Sequence, residues 1–161
     1  MKKNILLHVA CITFIISSVI FVYFFTQPKI LLENNLCKST ISYKLNDSNH
    51  NFEYNIFTSF NFTNTGKGYI HMRGVVIKDG NKYTLARNLD FSYQVRNNSN
   101  YEITINDVNK LGQDNTPEDL ISKYLAYTLP GGFTLLKINK IGKHLILASG
   151  LQGPVFICSV L

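Results

Sequence analysis

The sequence predicts an α+β protein that is mainly β: an N-terminal transmembrane helix, then a curled antiparallel sheet or incomplete barrel with one helix. Three observations predict it. Residues 5–25 are an almost unbroken apolar run behind Lys2 and Lys3. Residues 37–161 alternate apolar and polar side chains in short segments separated by Asn, Asp and Gly clusters. One stretch after Pro117 switches to helical period.

Fourteen of the residues between Ile5 and Phe25 are Leu, Ile, Val or Phe. About 21 residues at helical rise reach roughly 31 Å, against a hydrocarbon core of about 30 Å, so the run predicts a span. A cleaved signal peptide needs a shorter apolar region and a small-x-small site, whereas this run continues through Val22-Tyr23-Phe24-Phe25. The expectation is therefore an uncleaved anchor, with Cys11 an ordinary buried membrane residue. Lys2 and Lys3 keep the N-terminus in the cytoplasm and send the remainder across. The division is 1–4 cytoplasmic, 5–25 transmembrane helix, 26–36 linker, and 37–161 one exported β-rich domain.

That placement bears on charge. The chain carries +6 in total, with a pI near 9.2. Beyond the span lie all ten acids and fourteen of the sixteen bases, a surplus of only +4. An exported domain does not meet DNA, so direct nucleic-acid binding is excluded as a reading. The lipid bilayer is the first partner.

In order, Ile41, Tyr43 and Leu45 form one face of a first strand opened by Cys37. Phe52, Tyr54, Ile56, Phe60 and Phe62 alternate in a second, and Gly68 to Lys78 is a third. Asp79-Gly80-Asn81 is a hairpin signal leading into the fourth. There Tyr83, Leu85, Leu89, Phe91, Tyr93 and Val95 share a face that Arg87 interrupts. Tyr101, Ile103 and Ile105 mark a fifth. Thr116-Pro117-Glu118-Asp119 then reads as a cap, a first-position proline and acids in a first helical turn, with Leu120, Ile121, Tyr124 and Leu125 as the stripe. After Pro130-Gly131-Gly132 come three more strands, Phe133 to Ile141, His144 to Ser149 and Val155 to Val160.

Cys37 and Cys158 stand near the two ends of the domain. In an oxidising bacterial periplasm they are expected to pair, and the alternative is two separate buried thiols. Motifs for catalysis are absent: no HExxH, G-x-S-x-G, Walker loop or C-x-x-C occurs, so no enzyme, cofactor or metal is expected. His71 and His144 are either half-exposed strand histidines or a pH-sensing pair. Arg87 is either an ion-paired structural residue or a cation in a barrel mouth that meets an anionic amphiphile. Tyr83, Phe91 and Tyr93 are correspondingly plain core or ligand contacts.

A short basic N-terminus, one span and an early Cys precede Gly66-Lys67-Gly68-Tyr69-Ile70-His71-Met72-Arg73-Gly74 and Tyr83-Thr84-Leu85-Ala86-Arg87-Asn88-Leu89-Asp90-Phe91-Ser92-Tyr93. His144 to Ser149 and Pro154 to Cys158 close the chain. This layout resembles the FidL-like family of enterobacterial inner-membrane proteins. Size and layout are also similar to the PsaF and MyfF accessory proteins of Yersinia fimbrial operons. The resemblance implies a single-pass inner-membrane protein with a periplasmic domain. It further implies a partner, a ToxR-like membrane regulator with a winged helix-turn-helix, whose expression of fimbrial or virulence genes the domain supports. It implies a lipocalin-like barrel completed by that partner as a heterodimer, sometimes around a bile salt. A lipid or bile-salt binding module acting alone, and a fimbrial assembly factor, are the alternatives.

Overall fold

The computed structural model describes residues 12–23, 36–47, 50–97, 99–151 and 153–160. Eight strands follow one another: β1 (Leu36–Asp47), β2 (His50–Phe62), β3 (Lys67–Lys78), β4 (Asn81–Arg96), β5 (Asn100–Lys110), β6 (Phe133–Lys140), β7 (Leu145–Gly150) and β8 (Gly153–Val160). Helix α1 (Glu118–Tyr124) and a 3₁₀ turn (Ala126–Thr128) lie between β5 and β6. Each strand pairs antiparallel with the next, and β8 returns to β1, giving a closed barrel.

Closure corrects the expected open sheet or incomplete barrel. Cys37 pairs with Val160 and Lys38 with Ser159 across β1 and β8. The Cys37–Cys158 disulfide spans the same seam with Cα atoms 5.4 Å apart, and the Ser39 hydroxyl donates to the Ile157 carbonyl at 2.8 Å. Alternation along a strand says which face is buried but nothing about which strand lies at its edge, so closure was invisible to it. The expected transmembrane helix is corrected as well. Residues 12–23 are helical, yet among the described residues no helix is long and apolar enough to cross a membrane. Twelve residues at helical rise reach only about 18 Å. Residues 5–11 and 24–25 of the expected span lie outside the described residues.

The inward faces follow the predicted alternation. Phe52, Tyr54, Ile56, Phe60 and Phe62 of β2 are buried, as are Leu85, Arg87, Leu89, Phe91 and Tyr93 of β4. The β3–β4 turn has positive φ at both Asp79 (49°) and Gly80 (84°), the conformation a type I′ hairpin requires. β5 runs past the expected Ile105 to Lys110. A register shift at Asp90/Phe91 skips Asn106, lets Val108 face Leu89 and keeps Asp107 to Lys110 in the ladder. At Gly74 the two backbones of β2 and β3 come so close that an added Cβ would run into the Asn55 carbonyl oxygen, which reserves the position for glycine.

Helix α1 buries Leu120 and Ile121, and Leu125 just beyond it, so the predicted stripe is the packed face. The cap differs from expectation. Pro117 is the N-cap residue and no side chain caps the helix, because the Thr116 hydroxyl donates instead to the Thr84 carbonyl at 3.0 Å.

Two aromatic clusters fill the ends of the barrel. Phe62 meets Phe91, Tyr93 and Tyr101 edge-on at 5.1 to 5.9 Å. At the other end Phe52 stacks on Tyr124 of α1 at 3.8 Å, and Tyr54 stacks on Tyr43 at 5.4 Å. Between them the inner side chains are smaller.

Candidate functional site

Along β2 the inward residues run Phe52, Tyr54, Ile56, Thr58, Phe60, Phe62, so bulk falls in the middle of the strand. β4 places Leu85 and Leu89 there, with Arg87 between them turned to protein carboxylates, and β3 places only Ile70, Met72 and Gly74 at that level. The space left is a cavity of about 300 Å³. Ile70, Met72, Leu89, Ile103, Ile105 and Leu136 are among its walls. Tyr127 and Thr128 of the 3₁₀ turn border it, as do Ile41 of β1 and Val155 and Phe156 of β8, the strands that flank the seam. An eight-stranded barrel has room for its own side chains or one small ligand. This volume is about twice one that accommodates benzene.

Chemically the wall is apolar, aliphatic side chains together with the stacked pair Phe60 and Phe156, and the hydroxyls of Thr58, Thr128 and Tyr127 are turned to protein partners. The Thr58 hydroxyl donates to the Ser39 carbonyl at 3.3 Å and the Thr128 hydroxyl to the Leu125 carbonyl at 2.7 Å. The Tyr127 hydroxyl pairs with that of Tyr54, and burial holds both phenols above their ordinary range, so both stay neutral. No carboxylate, His, Lys or Cys lines the cavity among the described residues. Such a site holds an apolar guest by desolvation, with shape as the selector. Among the described residues no group of three or more His, Cys, Asp or Glu could hold a metal ion.

The sequence-predicted site residues lie elsewhere. Arg87 is inside the barrel wall, its side chain 4% exposed, but it points to protein carboxylates. Its Nε donates to Asp114 Oδ2 at 3.0 Å, and its two terminal nitrogens grip Glu118 at 3.0 and 2.7 Å. Asp114 also accepts from the Ala86 and Thr116 backbone N–H groups at 2.9 Å each. The result is a clamp that fixes the start of α1 to β4. Burial alone would lower the Arg87 pKa, but the bonds to Glu118 and Asp114 outweigh it and raise the value. The Arg87 hydrogen bond in turn holds the Glu118 carboxyl below its ordinary range.

Tyr83 is partly buried against the core, Phe91 is packed on Phe62, and the Tyr93 hydroxyl donates to the Thr63 carbonyl. None of Arg87, Tyr83, Phe91 or Tyr93 is among the cavity walls. His71 is exposed on β3 with Nδ1 2.7 Å from Asn88 Oδ1. His144 is exposed in the turn before β7 and accepts the Val160 N–H on its carbonyl at 2.9 Å. β3 and β7 are not neighbours, so the fold does not bring the histidines together. What the sequence reading missed is the aliphatic middle. The signal was the dip in side-chain size between two aromatic ends of the same strand.

A family model described as "FidL-like putative membrane protein" matches residues 74–158, which is 85 of the 161 residues. The chain belongs to the FidL-like family. The match takes in β4 to β7, α1 and β8 as far as Cys158, and therefore most of the wall of the cavity in this FidL-like protein. No curated protein matches the chain.

Proposed function

We propose that this FidL-like protein is a membrane-anchored accessory protein whose barrel takes an apolar or amphipathic small molecule, such as a fatty acid or bile salt, into its central cavity. In that state it supports a ToxR-like winged-helix membrane activator of fimbrial or virulence genes. The cavity carries the ligand half of this reading: about 300 Å³ of apolar space lies inside an otherwise filled barrel. The anchor half rests on the family's description as membrane proteins and on the apolar composition of residues 5–25 behind Lys2 and Lys3, not on a described helix of spanning length. The Cys37–Cys158 disulfide fits an oxidising compartment such as the periplasm, with the N-terminus left in the cytoplasm. The regulatory half follows from the family resemblance.

The test uses the full chain in lipid nanodiscs, titrated with a bile salt or a fatty acid below its micellar concentration. A saturable rise in unfolding midpoint is expected, equivalent to about 2.7 kcal/mol at a hundredfold excess over Kd. Ile103→Phe, which fills the cavity, abolishes that rise. In cells, deletion lowers target transcript, and Ile103→Phe fails to restore it. No shift with any amphiphile removes the ligand half. Unchanged transcript with loss of surface fibre would point to an assembly factor.

A further inference from the structure

The barrel's outer surface is divided. On β2 to β4 the outward rows are largely polar and mix charges, for example Ser59, His71 and Asn88, or Asn61, Tyr69 and Asp90. On β6 to β8 the outward side chains include Phe133, Leu135, Leu145 and Ile157, all exposed, with Leu147 half-buried. Leu147 stands opposite Ile157, and Leu145 opposite Ser159, which itself faces Lys38 of β1, so Leu145, Leu147 and Ile157 adjoin. On β6, Asn139 and Lys137 border them, and Leu135 and Phe133 lie beyond, against Glu102 and Thr104 of β5. Leu145 is 44% and Ile157 53% exposed. Exposed apolar patches of this kind mark binding surfaces.

Charge identifies the occupant. From Leu120 to Leu161 the sequence has no Asp or Glu, while Lys137, Lys140 and Lys143 stand exposed around these side chains and Lys38 adjoins them. Glu102 of β5, opposite Leu135, is ion-paired to Arg96, so the lysines keep a positive surplus around the apolar side chains, which complements an anionic lipid surface. Position agrees. The chain enters β1 at Leu36, beside Val160, at the barrel end that also carries the Ile141–Leu145 turn with exposed Ile141 and Lys143. Ten residues, 26–35, lie between Phe25 and Leu36, a reach of at most about 40 Å.

We infer that the outer face of β6–β8 docks on the surface of a bilayer containing anionic phospholipid, laying the barrel on its side next to its own anchor. The inference rests on the anchoring reading above, and the experiment separates the two. The chain has no Trp, so Leu145→Trp, Ile157→Trp and Tyr69→Trp each introduce a single indole, the last on the opposite wall. Full-length protein is reconstituted with brominated phosphatidylcholine as quencher, with or without phosphatidylglycerol.

With phosphatidylglycerol, the indoles at 145 and 157 are expected to be quenched and blue-shifted, and the one at 69 is not. Lys137→Glu, Lys140→Glu and Lys143→Glu together, in the Leu145→Trp background, abolish the quenching, as does high salt. Vesicle-bound protein whose 145 and 157 indoles are quenched no more than the one at 69 overturns the docking face and leaves the anchor standing. Flotation only with phosphatidylglycerol vesicles, with quenching at 145, removes the anchor and supports the face. Flotation with neither vesicle overturns both. A blue shift at 145 that depends on protein concentration and not on lipid assigns the face to a second copy and overturns the inference.

Discussion

From β1 to β5 the strands are 11 to 16 residues long, and neighbours stay in register for nearly their full length, as from Leu36↔Asn61 to Asp47↔His50. β6, β7 and β8 have 8, 6 and 8 residues, and β5 meets β6 only between Asn100↔Lys137 and Thr104↔Phe133. The long wall is held by its ladders and by side chains packed between two aromatic clusters. The short wall has fewer ladder bonds and meets β1 only at Cys37↔Val160 and Lys38↔Ser159 among the described residues. A covalent bond sits where the ladder is weakest, and this locates the disulfide's effect at the seam.

The largest expected effect breaks that seam. Cys37→Ser with Cys158→Ser removes a crosslink between residues 121 apart, which by chain entropy lowers stability by about 4–5 kcal/mol. Chemical denaturation measures the loss. Amide exchange should show β6, β7 and β8 losing protection first, while β2 to β4 keep theirs. An equal loss in all eight strands would erase the distinction between the walls.

A smaller effect is expected in the long wall. Arg87→Met leaves the fully buried Asp114 carboxylate with only Lys110 Nζ, 3.9 Å away, as a cation, although the Ala86 and Thr116 N–H groups still serve it. Removing one partner of a buried pair is costly, and with those two bonds retained the loss should be about 3 kcal/mol. Arg87→Met with Asp114→Asn should recover part of it, since the amide oxygen can accept the same backbone bonds without a charge. A loss below about 1 kcal/mol for Arg87→Met would mean that the clamp does not hold α1 in place.

The two walls also differ in how far they could be read from the chain. The alternation of Phe52 to Phe62 and of Tyr83 to Val95, and the Asp79-Gly80 turn, are local signals, and they located β2, β4 and their inner faces. The cysteine pair was legible from the positions of Cys37 and Cys158 near the two ends of the domain. Closure and the cavity were not, for a physical reason: each depends on what residues distant in sequence leave unfilled or bring together. Ile70, Met72, Leu89 and Ile103 look like ordinary core in one strand at a time. Arg87 was visible as an interruption, but its partners Asp114 and Glu118 lie 27 and 31 residues away, in a segment where acids read as turn and helix-start residues.

The smallest effect divides the clamp itself. Asp114 is fully buried, whereas the Glu118 side chain is 59% exposed, so water screens the outer half of the Arg87 network. Glu118→Gln is therefore expected to cost within about 1 kcal/mol at neutral pH. Its signature lies in the pH dependence. The folded carboxyl titrates below the ordinary value of 4.5 because Arg87, and then Lys110, bind its charged form. Its contribution is complete above about pH 4.5 and is lost as pH falls through the depressed folded value, since only there does the folded state take up the proton that the unfolded chain already holds. Denaturant midpoints measured from pH 7 to pH 2 should fall more steeply below pH 4.5 for the native chain than for Glu118→Gln, and the two curves should converge at the acid end. Parallel curves throughout would mean that Glu118 adds nothing to the clamp and that Asp114 alone holds Arg87.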